Sequence, residues 1–177
     1  MKISIEILTV IDIIQINLTV MVFIMKYTEF LSSAKRHNHA CRVLKEKLDS
    51  LGEDNAENVE YKFLVLSLYY LSGYIIECSI KFKIFELESY DLNADVTELE
   101  CTKFGIDFKN KIKTHNFRKL QNYLDSLVSD LSHVSDKKII NKLMNEWTPE
   151  IRYSTINVNY KQIKELYSHT NNFLKMM

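Results

Sequence analysis

Between Val59 and Leu87 the chain is apolar almost all round, carrying Phe63, Leu64, Leu66, Leu68, Leu71, Ile75, Ile76, Ile80 and Ile84 with neither a proline nor a charge-rich face. A helix of this kind leaves no side for water, so its place is the centre of a bundle. The rest of the chain must then supply the helices that cover it. Composition agrees: hydrophobic residues make 46%, charged residues 26%, and Gly 3 with Pro 1 leaves few breakers, so long helices are expected. At 177 residues the chain suits one domain that buries its own core.

Periodicity places the covering helices. Tyr27, Phe30, Ala34, His37, Cys41, Leu44, Leu48 and Leu51 recur at steps of three and four and predict a first helix, which Gly52 ends. Residues 88–113 lose the pattern and read as a loop or short helix, with Asp91, Asp95, Glu98 and Glu100 in it. Phe117, Leu120, Leu124, Leu127 and Leu131 predict a third long helix capped by Thr114 or Asn116. Ser135 is expected to cap a shorter helix bearing Ile139, Ile140, Leu143 and Met144, stopped at Trp147-Thr148-Pro149. Asn159 then caps a last helix with Tyr160, Ile163, Tyr167, Thr170 and Leu174 on one face. The expected fold is all-α, an up-and-down bundle of about five helices without internal repeats.

Residues 1–24 form an apolar, β-branched N-terminal extension to a domain at 25–177. Such a stretch could be a membrane anchor, a signal peptide or a strand. Glu6 and Asp12 count against a membrane span, each costing about 2.5 to 3.5 kcal/mol near a bilayer centre, and no small-residue cleavage site follows. Met25, directly before Lys26 and Tyr27, offers an alternative start; if residues 1–24 are translated, Ile3, Ile5 and Ile7 suit one strand and a hydrophobic helix on the bundle is equally open.

Lys plus Arg and Asp plus Glu number 23 each, so no global field advertises a polyanion or membrane partner. Cys41, Cys78 and Cys101 are odd in number and widely spaced, which argues against a disulfide framework and a zinc ribbon and points to a reducing cytoplasm. No metal or cofactor is expected; His37 and Cys41 have the spacing of a metal pair, but no further ligands converge in sequence.

Several positions carry possible chemistry. His115 with Arg118 combines a proton acceptor and a phosphate-binding cation, the pair that acid-base cleavage of RNA needs, although a His just before a helix cap is more often a structural or ligand-orienting hydrogen-bonder. Arg36, His39 and Arg42 gather charge on the first helix, with His37 on the apolar stripe expected to be a buried, hydrogen-bonded imidazole. Arg152 could make a bidentate contact to a carboxylate or phosphate while Tyr153 stacks, the two could equally pin the last helix, and Arg152 could join a buried Glu77 and Lys81 pair in a structural network. Gly73 is expected to let a neighbouring helix approach.

Leu71-Ser72-Gly73-Tyr74-Ile75-Ile76-Glu77-Cys78-Ser79-Ile80-Lys81 resembles the central helix of HEPN domains, in which a small residue, an aromatic, a Glu and a Lys recur. Ala34-Lys35-Arg36-His37, Thr114-His115-Asn116-Phe117-Arg118-Lys119-Leu120 and Trp147-Thr148-Pro149-Glu150-Ile151-Arg152-Tyr153 resemble other elements of that family in the same order. The resemblance implies a homodimeric helical bundle from a bacterial stress or phage defence system of toxin-antitoxin type. It would bind RNA, a nucleotide, or a nucleotidyltransferase-like or toxin partner protein. Ribonuclease members carry an Arg followed after four to six residues by a His, a spacing absent here. A non-catalytic binding module is therefore the first expectation, a metal-independent ribonuclease with a rearranged Arg and His site the alternative, and a structural partner that masks a toxin the third.

Overall fold

The computed structural model describes residues 25–52, 55–154 and 159–177; the expectations for residues 1–24 lie outside them. The protein is an all-α bundle with no strand among the described residues. Helix α1 spans Thr28–Leu51, α2 Val59–Leu87, α3 Glu98–Lys103, α4 Phe117–Leu127, α5 Lys138–Glu146 and α6 Tyr160–Leu174, with a π-helical turn at Phe108–Ile112 and a 3-10 turn at Pro149–Tyr153.

Helix α2 is the axis, packed against α1, α4, α6 and the 3-10 turn. By length and composition it would pass for a membrane span, yet 61% of the qualifying window is buried inside the protein. Helix α1 runs antiparallel to it, since Tyr27 stacks on Phe82 and Phe85 near one end while the Cys41 thiol donates to Leu68 O towards the other. Leu68, Ile75, Ile76, Ile80 and Ile84 of α2 are wholly enclosed, together with Leu120 and Leu124 of α4 and Ile163 of α6. Burying each such side chain is worth about 1.5 to 3 kcal/mol, which is why the all-round apolar helix is the interior one.

Caps set the element boundaries near the groove described below. Asn116 accepts from Lys119 N at 2.9 Å and starts α4, while Thr114 Oγ1 accepts from Asn116 N one step earlier. Asn58 caps α2 and Asn159 caps α6 in the same manner. Two boundaries differ from expectation. Helix α4 stops at Leu127 because Val128 turns extended, at φ −151° and ψ 136°, and Leu131 stays buried outside the helix, its carbonyl accepting from Gln121 Nε2 at 2.8 Å. Helix α5 is entered at Lys137, with no side-chain cap; Ser135 Oγ accepts from Lys137 N at 3.3 Å, two residues too early for the helix.

Candidate functional site: a groove over a buried Glu–Lys pair

Glu77 and Lys81 lie one turn apart on α2, which puts both on one face, and that face is interior: the carboxylate is 5% exposed and the ammonium 9%. Lys81 Nζ donates to Glu77 Oε1 at 2.7 Å. A charge this buried persists only when paired and hydrogen-bonded, so the second carboxylate oxygen also needs a donor. His115 supplies it. Its Nδ1 lies 2.8 Å from Glu77 Oε2, reaching down from the residue before the α4 cap. A carboxylate can only accept, so Nδ1 carries the proton, and in the neutral imidazole Nε2 is left as an acceptor. Nε2 makes no hydrogen bond among the described residues, and the ring is 54% exposed.

The groove that His115 lines has a volume of about 440 Å³ and is bounded by Thr114, Asn116, Phe117, Arg118, Met144, Asn145, Trp147, Thr148, Pro149 and Glu150. Its floor is aromatic. Phe117 stacks on Trp147 with centroids 4.9 Å apart and planes at 14°, and Tyr74 meets the other edge of Trp147 at 5.1 Å and 89°. Trp147 ends α5 and donates from Nε1 to Tyr70 O at 3.1 Å, fixing its indole against α2. Gly73 makes this possible: a Cβ there would stand 2.1 Å from Trp147 Cε2, a distance no side chain tolerates. The close approach at Gly73 is thus made by an indole, not by a neighbouring helix.

Charges around the groove are partly unmatched. Arg118 forms no ion pair or hydrogen bond among the described residues, standing exposed in the first turn of α4. Across from it, the Glu150 carboxyl is held below its ordinary value first by a hydrogen bond from Thr148, and to a smaller degree by the charges of His115 and Arg152.

The other candidates fall in separate places. Arg152 makes no ion pair or hydrogen bond with Glu77 or Lys81 among the described residues; its Nη1 donates to Tyr70 OH at 3.1 Å and its guanidinium lies 4.6 Å over the ring of Tyr153. Arg36, His39 and Arg42 are exposed on α1, where Arg36 donates to Ser33 Oγ and Arg42 contacts both Glu46 and His39. His37 is half-buried and makes no hydrogen bond among the described residues, unlike the buried, hydrogen-bonded imidazole expected; its ring lies 5.4 Å from that of Tyr74, and burial, with Arg36 beside it, lowers its pKa. The Cys41 thiol, pushed up to about 12 by burial, faces Ser72 and the Leu68 carbonyl rather than His37. Among the described residues no group of three or more His, Cys, Asp or Glu side chains is placed to hold a metal.

Sequence reasoning treated Trp147 as part of a helix terminator, and so missed the groove's floor. The available signal was Gly73, a residue without a side chain in an otherwise bulky helix. No family model matches the sequence, and no curated protein or solved structure matches it.

Proposed function

We propose that this chain is a HEPN-like module that holds a phosphate-bearing ligand, an RNA or a nucleotide, in the groove between His115, Arg118 and Trp147. One observation carries the reading. Segments 71–81, 114–120 and 147–153, which resemble HEPN elements one by one, meet at a single place through the Glu77–His115 hydrogen bond, the Gly73–Trp147 contact and the Phe117–Trp147 stack. Their convergence gives the groove a cation without a carboxylate partner, an oriented imidazole and an aromatic wall, a combination suited to a phosphate and an adjoining base. Function in a bacterial stress or defence system rests on the resemblance, and a reducing cytoplasm suits three buried free thiols.

The Glu77–His115 pair favours a second reading, metal-independent ribonuclease. A carboxylate that fixes the imidazole tautomer leaves Nε2 free to take a proton from a ribose hydroxyl, with Arg118 to stabilise charge on the phosphate. Absence of the ribonuclease spacing of Arg and His ranks this second. The third possibility, a protein-masking role, needs no groove at all.

Labelled single-stranded RNA and a fluorescent nucleotide, titrated with the purified chain in the presence of chelator, separate the three. Binding without cleavage, weakened by Arg118→Ala by about 1 to 3 kcal/mol, is the expected result. Chelator-resistant cleavage abolished by His115→Ala or Arg118→Ala would promote the ribonuclease, and neither binding nor cleavage would leave only the protein-partner role.

A further inference from the structure

The groove at His115 is bounded by Arg118, and the next residue, Lys119, lines a different depression. That second one has a volume of about 320 Å³ and is bounded by Asn110, Lys111, Lys119, Asn122, Tyr123 and Ser126. Lys119, Asn122, Tyr123 and Ser126 recur at steps of three, one and three, so they form one face of α4, and the π-helical turn brings Lys111 over it. Lys111 Nζ stands 4.8 Å from the centre of the Tyr123 ring, whose hydroxyl donates to Glu88 Oε1 at 2.6 Å and so ties the ring to the end of α2. The charge here is one-sided. Lys109, Lys111, Lys113, Arg118 and Lys119 are all exposed, no Asp or Glu interrupts residues 109–119, and none of the five makes an ion pair or side-chain hydrogen bond among the described residues. Lys26, Lys45, Lys103, Lys137 and Lys164 each meet a carboxylate, so in a protein of zero formal net charge this run stands out as a local concentration of unmatched charge.

We infer that the ligand of the His115–Arg118–Trp147 groove is a single strand of RNA several nucleotides long, not a lone nucleotide, and that it continues past Arg118 into a second subsite made by Lys111, Lys119 and Tyr123. The inference rests on the groove being the ligand site and adds what lies beyond it. A mononucleotide brings one phosphate group, for which Arg118 suffices. A run of unmatched cations suits a chain of phosphates, whose counterions are released as each lysine takes their place. The second depression repeats the chemistry of the first, with a cation, an aromatic ring and an open polar group. Tyr123 offers a ring face once Lys111 leaves it for a phosphate, and the Asn122 carboxamide, without a partner among the described residues, has both a donor and an acceptor for a base edge. Only an unpaired base reaches such a ring, which selects a single strand over a duplex. The carboxylates that act on Tyr123 are already engaged: Glu88 accepts from its hydroxyl, and Asp107 accepts from the backbone and side-chain amides of Asn110.

Fluorescence polarisation with the full chain, in chelator, compares labelled uridine monophosphate with a labelled single-stranded RNA of about 12 nucleotides, which should bind about ten-fold tighter or better. Replacing Lys111 and Lys119 together by alanine should weaken the RNA about five-fold or more, leave the mononucleotide unchanged, and lower the slope of log affinity against log salt by about 0.7 for each lysine. Lys47→Ala with Lys175→Ala removes the same charge from exposed sites off this path and should change neither ligand. Arg118→Ala should weaken both ligands, and Tyr123→Leu should weaken the RNA more than Tyr123→Phe, which keeps the ring. An RNA that binds no tighter than the mononucleotide overturns the inference. So does a loss from the Lys111 and Lys119 pair no larger than that from Lys47 and Lys175, or attachment to phosphatidylserine vesicles through these lysines without RNA binding. If Arg118→Ala leaves both ligands untouched while Lys111 and Lys119 still govern the RNA, the groove falls and the lysine subsite stands.

Discussion

Gly73 and Trp147 lie far apart in the chain and fit each other to within an atom. Adding one carbon at Gly73 drives into the indole at 2.1 Å, and the indole is pinned on its other sides by Phe117, Tyr74 and the Tyr70 carbonyl. Gly73→Ala is therefore expected to cost about 1 to 3 kcal/mol in denaturant unfolding, the range for overpacking, with part of it returned by a smaller side chain at Trp147. A Gly73→Ala protein as stable as wild type would show that the indole has another seat. Glu77 is the second sensitive residue. Glu77→Gln leaves Lys81 buried without its countercharge and should cost about 3 to 5 kcal/mol, whereas replacing both by apolar side chains should cost far less; urea midpoints of the three variants check it. The Glu77 and Lys81 pair was legible in the sequence because a spacing of four on a helix is a contact in itself. That His115, a candidate in its own right, would land on Glu77 was not, since periodicity says which face a residue occupies and nothing of which loop lands on it.

The elements were legible where local rules act alone. Tyr27 to Leu51 and Val59 to Leu87 show their period or its absence plainly, and both helices occupy those positions. The end of α4 was not legible. Leu131 continues the apolar spacing of the helix, but its carbonyl is captured by Gln121, whose Oε1 also accepts from His133 N at 3.1 Å, so a tertiary latch replaces the last helical turn. Ser135 misled for a related reason, because its backbone is held by the Asn141 side chain of α5, which accepts from its N–H at 2.8 Å and donates to its carbonyl at 2.7 Å, ahead of the helix start. At the other end of α4, Asn116 both starts the helix and sets the angle at which His115 meets Glu77. Asn116→Ala should lose about 1 kcal/mol and lower the melting temperature by about 2 to 4 °C, as followed by circular dichroism. An unchanged melt would mean that packing of Phe117 and Leu120 holds the helix start without the cap.

At the scale of the molecule, acid should act through histidine before it acts through carboxylates. Burial lowers His133 from 6.5 to about 4, with His169 contributing less, and burial lowers His37 in the same direction. The unfolded chain thus takes up protons that the folded chain refuses, so stability is complete above about pH 6.5 and declines as pH falls towards about 4. The loss from His133 is about 3 kcal/mol at most. Denaturant curves across that window should flatten in a His133→Asn variant; an identical slope would assign the acid sensitivity elsewhere. The bundle as a whole followed from one apolar helix and its amphipathic neighbours, while the groove needed three distant segments to converge, which one sequence does not encode in any local pattern. That convergence is the central claim, and the protein contains its own reporter, since Trp147 is the only tryptophan and lies in the groove wall. The most direct measurement is its fluorescence during titration with single-stranded RNA at fixed, low salt. A saturable change in emission, shifted to higher concentration at least several-fold by Arg118→Ala with the fold unchanged, is expected. A flat signal accompanied by RNA binding that ignores Arg118→Ala would contradict the assignment of the groove.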